Sequence, residues 1–350
     1  MTAKLTGALV RSAALTHFAE VASACGLDAR ALLVEAGLPP RCLTEPDLKV
    51  PTRGVGRLLE IAAGRGHEPA FGLRMAESRR LSNLGPLALL VRDEPTLHSA
   101  LEVLMHHVHV HNEGVAVQVE EYGGLVAIRT ELAAEGATSV RQATELVVGV
   151  TFRVLQVFMG AGWHPRLVCF THAAPPSLAV HRRVFGPAVE FGHEFNGIVC
   201  NATDLDAPNP GADPVLARYS QKLLAPSLAR SAALTDRVRQ LIVLLLPRGL
   251  CRVEVVAQHL GVDRRTVHRK LAAEGSNFSA IVETVRRELA QRYVEGTEQP
   301  LLDVSSLLGF AAPSAFSRWY RAGFGQSAQR RRTTAATPVS RSADGSGRRA

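Results

Sequence analysis

Apolar residues recur at steps of three and four along much of the first 160 residues, which is the spacing of an amphipathic helix. The clearest stripe lies in residues 96–111, where leucines and a valine line one face. Residues 27–38 add a candidate N-cap, Asp28, and a stop signal, Gly37. The spacing therefore predicts helices over residues 27–38, 52–66, 96–111 and about 140–159.

Between residues 114 and 132 the pattern changes to alternation, which is typical of strands. Valines alternate with small or polar residues from Val115 to Val119, and Gly123-Gly124 supplies a two-residue hairpin turn. Further strands are expected in residues 165–176 and, as two short strands around a turn, in residues 189–201.

The strongest boundary in the chain is residues 203–214, which are rich in proline, aspartate and glycine. Helices and strands mix before it, whereas every predicted element after it is a helix. Large apolar side chains almost disappear from residue 333 onward, which predicts disorder. The expected organisation is a flexible lead-in over 1–14, an α+β domain over 15–205, a linker over 206–232, an all-α domain over 233–332 and a basic tail over 333–350.

One segment of the helical part occurs twice, as VEVVAQHLGVDRRTVHRKL (253–271) and as LLDVSSLLGFAAPSAFSRWY (301–320). In each copy a small residue lies four positions before a glycine, and an apolar residue follows the glycine. These residues are Ala257, Gly261 and Val262, then Ser305, Gly309 and Phe310. A small side chain lets two helices cross closely, and glycine permits the positive φ of a tight turn. Both copies therefore predict a helix-turn-helix unit.

The second helix of each unit divides into two faces. The residues predicted to face the core are Val267 and Leu271, then Phe316, Trp319 and Tyr320. The residues predicted to face outward are Arg265, His268 and Arg269, then Ser314, Ser317, Arg318 and Arg321. An exposed basic helix suits the major groove of DNA, where arginine can bond guanine O6 and N7 together. We therefore expect base readout from these faces, chiefly from Arg265, Arg269 and Arg318.

A connecting helix is predicted between the two copies, over residues 277–296. Its apolar residues form an i+4 stripe of Ile281, Val285, Leu289 and Tyr293. About 16 residues span roughly 24 Å, and the widths of the flanking helices bring this near the ~34 Å between successive major-groove segments. One chain can thus read two adjacent segments. Phosphate contacts are expected from Arg264, Lys270 and Arg321, while Arg286 is either a phosphate contact or a solvated partner of Glu283.

The charge distribution supports a polyanionic partner for the helical part. The chain of 350 residues carries a net charge of +8. Residues 226–350 hold 20 Lys and Arg against 10 Asp and Glu, so the basic excess lies entirely in the last third. Hydrophobic content of 46% is ample for two cores. No apolar run is long enough to span a membrane and no signal-peptide core is present, so we expect a cytoplasmic protein.

Candidate chemistry outside the repeats is weak. Five scattered cysteines form no C-x-x-C pair, and no zinc site or nucleotide-binding motif is found. His107 and His111 lie one helical turn apart and could bind a metal or line a ligand pocket, but packing near the end of their helix is the favoured interpretation. We expect no cofactor. A metal-dependent enzyme fused to a DNA-binding domain, and a DNA-compacting protein without sequence preference, remain as alternatives.

The repeats resemble a known family. VAQHLGVDRRTVHRKLAAEG, VRRELAQRY and LLGFAAPSAFSRWYRAGFG, in this order, resemble the DNA-binding domain of the AraC family of transcription regulators. Residues of about 15–210 are similar to the N-terminal domain of the subgroup that includes ornithine-utilisation regulators, with an arabinose-binding-type domain. The resemblance implies a domain that senses a small-molecule effector, double-stranded promoter DNA as partner and contact with RNA polymerase, and it is compatible with a homodimer. Activation and repression both stay open.

The second copy departs from the family pattern. The family usually has a capping Ser or Asp before the second recognition helix, where this chain has Ala311 and Ala312. Loss of a cap costs ~1 kcal/mol, partly offset if Pro313 takes the first helical position. Ala328 also replaces the proline usual near the end, and the aromatic expected beside the closing arginine is missing. These changes are expected to weaken the second half of the DNA contact.

Overall fold

The structure is a computed structural model that describes residues 8–132, 140–230, 234–246, 249–296 and 300–336. Its buried apolar residues form two clusters, one drawn from residues 10–205 and the other from residues 238–328. The first belongs to an α+β part and the second to an all-helical part, which confirms the expected fold class. Within the described segments, no helix is long and apolar enough to cross a membrane.

The first part contains nine helices in its described residues. They are α1 Phe18–Ala24, α2 Ala29–Glu35, α3 Thr52–Arg65, α4 Phe71–Glu77, α5 Pro86–Val91, α6 Leu97–His111, α7 Arg141–Met159, α8 Ala179–Phe185 and α9 Pro214–Arg230. Of these, α6, α7 and α8 contact the larger sheet of this part. Short 3₁₀ turns cover Ser12–Leu15, Pro40–Leu43, Leu81–Leu84 and Ala202–Asp206. The four helices predicted from periodicity are confirmed. Asp28 caps α2 by accepting a hydrogen bond from the Arg30 N–H at 2.8 Å.

Two sheets complete the first part. Strands β1 Leu9–Arg11 and β2 Lys49–Pro51 pair antiparallel. The remaining strands form one sheet in the order β3-β4-β7-β5-β6, namely β3 Val115–Tyr122, β4 Leu125–Leu132, β5 Leu167–Phe170, β6 Val189–Phe191 and β7 Gly197–Asn201. The predicted hairpin is present, and both of its turn glycines have positive φ, 58° at Gly123 and 80° at Gly124. The two strands expected in 189–201 exist, but β5 lies between them and pairs in parallel with β6.

Two expected unstructured segments differ in the structure. The lead-in predicted over 1–14 was wrong from residue 9 onward, because β1 gains a partner, β2, that lies 40 residues away in sequence. Residues 1–7 lie outside the described residues. Much of the linker predicted over 206–232 is helix α9, which packs against α5 and places Leu224 on the first core. Local composition gave no sign of that packing.

The second part contains seven helices in its described residues. They are α10 Leu234–Leu245, α11 Val253–His259, α12 Arg264–Ala273, α13 Phe278–Gly296, α14 Leu301–Leu307, α15 Pro313–Phe324 and α16 Ala328–Ala336. The predicted stripe of α13 is buried, from Ile281 to Tyr293, and forms the centre of the second core. Helix α16 runs four residues into the predicted tail, and residues 337–350 lie outside the described residues.

Candidate nucleic-acid interface

Two pairs of short helices flank α13, and each pair is joined by a tight turn. Gly261 follows α11 with φ of 62°, and Gly309 follows α14 with φ of 70°. This is the left-handed region that side chains with a Cβ rarely enter. A Cβ on Gly309 would also lie 2.9 Å from the Leu246 carbonyl oxygen. The small residues before the turns, Ala257 and Ser305, are buried where the helices cross.

The first recognition helix, α12, begins at a side-chain cap. The Asp263 carboxylate accepts hydrogen bonds from the Thr266 N–H at 2.8 Å and from the Thr266 hydroxyl at 2.9 Å. These bonds favour the ionised carboxylate and lower the pKa of Asp263. Val267 and Leu271 are fully buried. The exposed residues of the helix include Arg264, Arg265, His268, Arg269 and Lys270.

The second recognition helix, α15, begins without a side-chain cap. Its N-cap is Ala312, and Pro313 occupies the first helical position, as the sequence indicated. Phe316 and Tyr320 are buried, and Trp319 is half-buried. They join an aromatic cluster in which the ring centroids of Phe310 and Trp319 lie 5.2 Å apart. The exposed residues of the helix include Ser314, Ser317, Arg318 and Arg321.

Helix α13 fixes the second unit through two polar contacts that periodicity does not reveal. Arg286 donates from Nε to the Leu308 carbonyl oxygen at 3.0 Å. Its guanidinium carbon lies 4.9 Å from the centre of the Phe310 ring. The Glu283 carboxylate accepts from the Trp319 indole at 3.0 Å. Both contacts place charged side chains of the connecting helix against the apolar face of the second unit.

The outward cations of the two recognition helices differ in their partners. Arg264 Nη1 lies 3.0 Å from Glu254 Oε1, an exposed ion pair that links α12 to α11. Among the described residues, Arg265, Arg269 and Arg318 have no acidic partner. Unpaired exposed guanidinium groups on a helix that projects from a compact core can meet phosphates and base edges. Two such units on one connecting helix define a helix-turn-helix DNA-binding protein.

The first unit also contacts the α+β part. The His106 ring of α6 lies against Gly261, so closely that a Cβ on that glycine would overlap it. Arg237 of α10 donates from Nη2 to the His106 carbonyl oxygen at 3.1 Å. Helices α10 and α11 also contact β3. The sequence showed the histidine run of α6 but not that it reaches the turn of the first unit.

The candidate metal ligands, His107 and His111, lie near the end of α6 in a low-dielectric setting. Burial is the main reason that the pKa falls to about 4 at His107 and to about 3 at His111. His111 Nδ1 lies 3.3 Å from an Arg11 guanidinium nitrogen. In the part of the chain that the structure describes, no three His, Cys, Asp or Glu residues are grouped to hold a metal ion.

The α+β part contains a cavity of about 130 Å³, and of the two histidines considered as pocket residues His111 lies in its wall. The cavity wall combines α3, α6, α7, β3 and the ends of neighbouring segments. Most of the wall is aliphatic, including Leu101, Leu104 and Val108 of α6. Arg79 and His111 are among its few polar residues. One face of α6 therefore lines the cavity, while His106 on the same helix contacts the first helix-turn-helix unit.

Comparisons with known proteins agree with this architecture. Residues 26–209 match the family model "Arabinose-binding domain of AraC transcription regulator, N-term", and residues 256–334 match a "Helix-turn-helix domain" model. The HTH-type transcriptional regulator VirS of Mycobacterium tuberculosis is 30% identical over 322 residues, 91% of this chain and 95% of that protein. The Ornithine utilization regulator of Pseudomonas aeruginosa is 26% identical over 321 residues, 90% and 94% of the two chains. The crystal structure of transcriptional regulator CdpR from Pseudomonas aeruginosa aligns with a TM-score of 0.43 and 20% identity, covering 87% of this chain and 96% of that chain.

The chain belongs to the AraC family of transcription regulators. It is an AraC-type regulator with an N-terminal ligand-binding domain ahead of a helix-turn-helix DNA-binding domain. The family resemblance drawn from the repeated segments and from residues of about 15–210 is thus confirmed. We call the two parts the sensing domain and the DNA-binding domain below.

Proposed function

We propose that this regulator recognises a promoter sequence by placing α12 and α15 in successive major-groove segments. The observation that carries the proposal is the pair of helix-turn-helix units packed on one connecting helix. The 19 residues of α13 span about 28 Å, and both units share the core that α13 centres. Their separation is therefore set by α13 before DNA binds, and we expect it to be close to the ~34 Å of one duplex turn.

The proposed contacts fall into two groups. We assign base contacts to Arg265, His268 and Arg269 of α12 and to Ser314, Ser317 and Arg318 of α15. We assign phosphate contacts to Arg264, Lys270 and Arg321. Arg286 has the weakest case for a phosphate contact, because Leu308 and Phe310 already engage its guanidinium.

A footprint of the full-length chain on its own promoter region tests the proposal. We expect one discrete protected site, long enough to hold two major-groove segments about ten base pairs apart. Competition with random DNA should leave the footprint intact. Phosphate contacts form on any sequence, whereas base contacts add affinity only at the promoter site. Protection of a single segment would remove α15 from the proposal. Equal affinity for random DNA would favour the alternative of a DNA-compacting protein.

We infer that a small-molecule effector acts on DNA binding through α6. The inference is supported by the position of this helix, which lines the cavity with one face and meets Gly261 of the first unit with His106. A ligand that moves α6 changes how the turn of the first unit is held. Changing His106 to alanine should alter basal operator affinity by about fivefold, the low end of usual coupling energies. The matched control is His98→Ala, on an exposed face of the same helix; equal effects in both variants would reject this route.

Further properties are part of the same proposal. We place the protein in the cytoplasm, assign it no enzymatic activity, and expect it to contact RNA polymerase when bound at a promoter. The proteins similar to it support the second assignment, since both are named as regulators. A homodimer is supported by α9, where Val215, Tyr219 and Leu223 form an i+4 stripe that is 57%, 66% and 75% exposed. Sedimentation of Tyr219→Glu against the unaltered chain tests this dimer.

A further inference from the structure

The cavity of the sensing domain has an unusual balance of charge. Its described wall contains three arginines, Arg53, Arg57 and Arg79, and one histidine, His111, but no aspartate or glutamate. Arg53 and Arg57 are exposed and lie one helical turn apart on α3, at the rim. The remaining wall is largely aliphatic, with valines and leucines from α3, α6, α7 and β3. The cavity thus combines an apolar body with positive charge.

Arg79 is the deepest of these cations. Arg79 is only 5% exposed. Two of its five N–H donors are used, because Nη1 and Nη2 donate to the carbonyl oxygens of Ala13 and Ala14. Its buried Nε has no hydrogen-bond partner, and among the described residues it has no acidic partner. A buried cation without a counter-charge is costly, so the site favours an anion that enters with the ligand.

The protonation and ion pairing of the groups around Arg79 are compatible with an anion at this site. Burial lowers the pKa of Arg79 to about 10, so its guanidinium remains charged at neutral pH. The nearby cations Arg11 and Lys49 are already paired, with Asp47 and Glu113. Burial, and the positive charges of Arg11, Arg79 and Lys49, lower the pKa of His111 to about 3. His111 is therefore a neutral hydrogen-bonding group beside the charge of Arg79.

The wall is poorly suited to a sugar, although the family model is named after arabinose. A sugar presents many hydroxyl groups, each of which needs a partner once it leaves water. The neutral polar groups on the wall are largely engaged: the Thr52 hydroxyl donates to Ala8, and the Thr151 hydroxyl donates to Val147. The side-chain oxygen of Asn112, Oδ1, accepts a hydrogen bond from the Gly114 N–H at 2.9 Å. The hydrocarbon part of an apolar ligand has no hydroxyl groups and therefore loses no hydrogen bonds in such surroundings.

We propose that the cavity binds an apolar monocarboxylate, with its hydrocarbon part among the aliphatic side chains of α3, α6 and α7 and its carboxylate at Arg79. Arginine suits this role because its planar donors match a planar carboxylate. Size supports the class, since a dry apolar cavity of roughly 150 Å³ holds a benzene ring and this one measures about 130 Å³. The inference rests on the proposed control by an effector and names the chemistry of that effector.

The experiment uses three probes of one shape and different charge, followed by ¹⁹F NMR with the full-length chain. They are 4-fluorobenzoate, 4-fluorobenzyl alcohol and 4-fluorobenzylamine. We expect the carboxylate to bind at least about tenfold more tightly than the alcohol, and the amine to bind least. Hexanoate and octanoate should displace the carboxylate probe, and arabinose should not. Equal binding of alcohol and carboxylate, displacement by arabinose, or no binding of any carboxylate at millimolar concentration would overturn the proposal.

Two variants of α7 locate the binding. Val150→Trp places a large ring in the cavity wall, whereas Val157→Trp adds the same ring on the exposed side of the helix. Loss of carboxylate binding is expected in Val150→Trp alone, with the circular dichroism of both variants unchanged. Retained binding in Val150→Trp would reject this cavity as the site. Arg79→Lys, which keeps the charge, should weaken binding less than Arg79→Gln.

A gel shift with the promoter, run on the same protein without ligand, distinguishes failure of the proposed ligand class from failure of the proposed DNA binding. A chain that binds its promoter but takes up no carboxylate rejects the ligand class and leaves the proposed function intact. A chain that takes up carboxylate without binding promoter DNA does the reverse.

Discussion

The two helix-turn-helix units share one design but differ in how they are held. The first has an aliphatic core, a capped recognition helix and a row of cations, and its turn contacts the sensing domain through His106. The second has an aromatic core and an uncapped recognition helix, and α13 braces it through Arg286 and Glu283. From this difference we expect the first unit to contribute more positive charge to DNA binding and to respond to the sensing domain, and the second unit to be rigid and to contribute less to DNA affinity.

Removal of the aromatic core of the second unit should cause the largest loss of stability. Phe316→Ala deletes a ring that is 2% exposed and packs on Phe310, Trp319 and Tyr320. We expect a loss of about 3–5 kcal/mol in the free energy of unfolding of the DNA-binding domain. Urea titration of the full-length chain, followed by tryptophan fluorescence, measures it. Leu302→Ala, at an exposed position of α14, should change stability by less than about 0.5 kcal/mol; similar losses in the two variants would contradict the packing.

Acidification should destabilise α6 and the first helix-turn-helix unit more than the second unit, because the buried histidines lie there. The pKa of His109 falls to about 3, chiefly through burial, and burial also lowers the pKa of His259 in the first unit. A depressed folded-state pKa means that the unfolded chain binds the proton more readily, so stability is full above about pH 6.5 and is lost as the pH falls below it. For His109 the loss at pH 5 is about 2 kcal/mol.

Hydrogen exchange at pH 7.5 and pH 5 measures this effect locally. We expect protection to fall in α6 and α11, where the buried histidines lie. Helices α14 and α15 contain no histidine and should keep theirs. His109→Gln should reduce the pH dependence, and equal loss of protection in both units would contradict the assignment.

The division of charge can be tested on DNA. Arg269→Ala should weaken binding to the cognate promoter by about 1–3 kcal/mol and relax preference at one base pair. Lys270→Ala should weaken binding to all sequences alike and flatten the salt dependence, because it removes a phosphate contact. Gel-shift titrations at two salt concentrations distinguish the two results. Unchanged affinity in Arg269→Ala would remove the base contact, and a smaller loss in Arg318→Ala than in Arg269→Ala would support the weaker role of the second unit.

Changes to the helix caps should have the smallest effect on stability. One cap can be removed from α12 and one added to α15. Asp263→Ala removes the side-chain cap of α12 and should cost about 1 kcal/mol of unfolding free energy. Ala312→Ser supplies the missing cap of α15 and should recover up to about 1 kcal/mol. Thermal unfolding of the two single variants and the double variant measures both changes. A gain in Ala312→Ser that also raises promoter affinity would show that the second unit is limited by order in its recognition helix.

Residue periodicity within short segments predicts much of the fold. The hairpin at Gly123-Gly124, the long helix α7 and both helix-turn-helix units follow from periodicities of a few residues. Pairings between distant segments did not follow from it. The local pattern predicts a loose lead-in at β1 and a linker at α9, because each element is stabilised by a partner far along the chain.

The family, the repeat and the two faces of each recognition helix follow from the order of residue types along the chain, because apolar and polar spacing and the recurrence of one segment 48 residues later are both visible there. The burial of Arg79 at a cavity, the contact of His106 with Gly261 and the contacts of Arg286 with the second unit follow from the folded structure alone. Each of these depends on contacts between residues 22 to 155 positions apart, and a side chain's charge, solvation and partners are set by such contacts rather than by its neighbours along the chain.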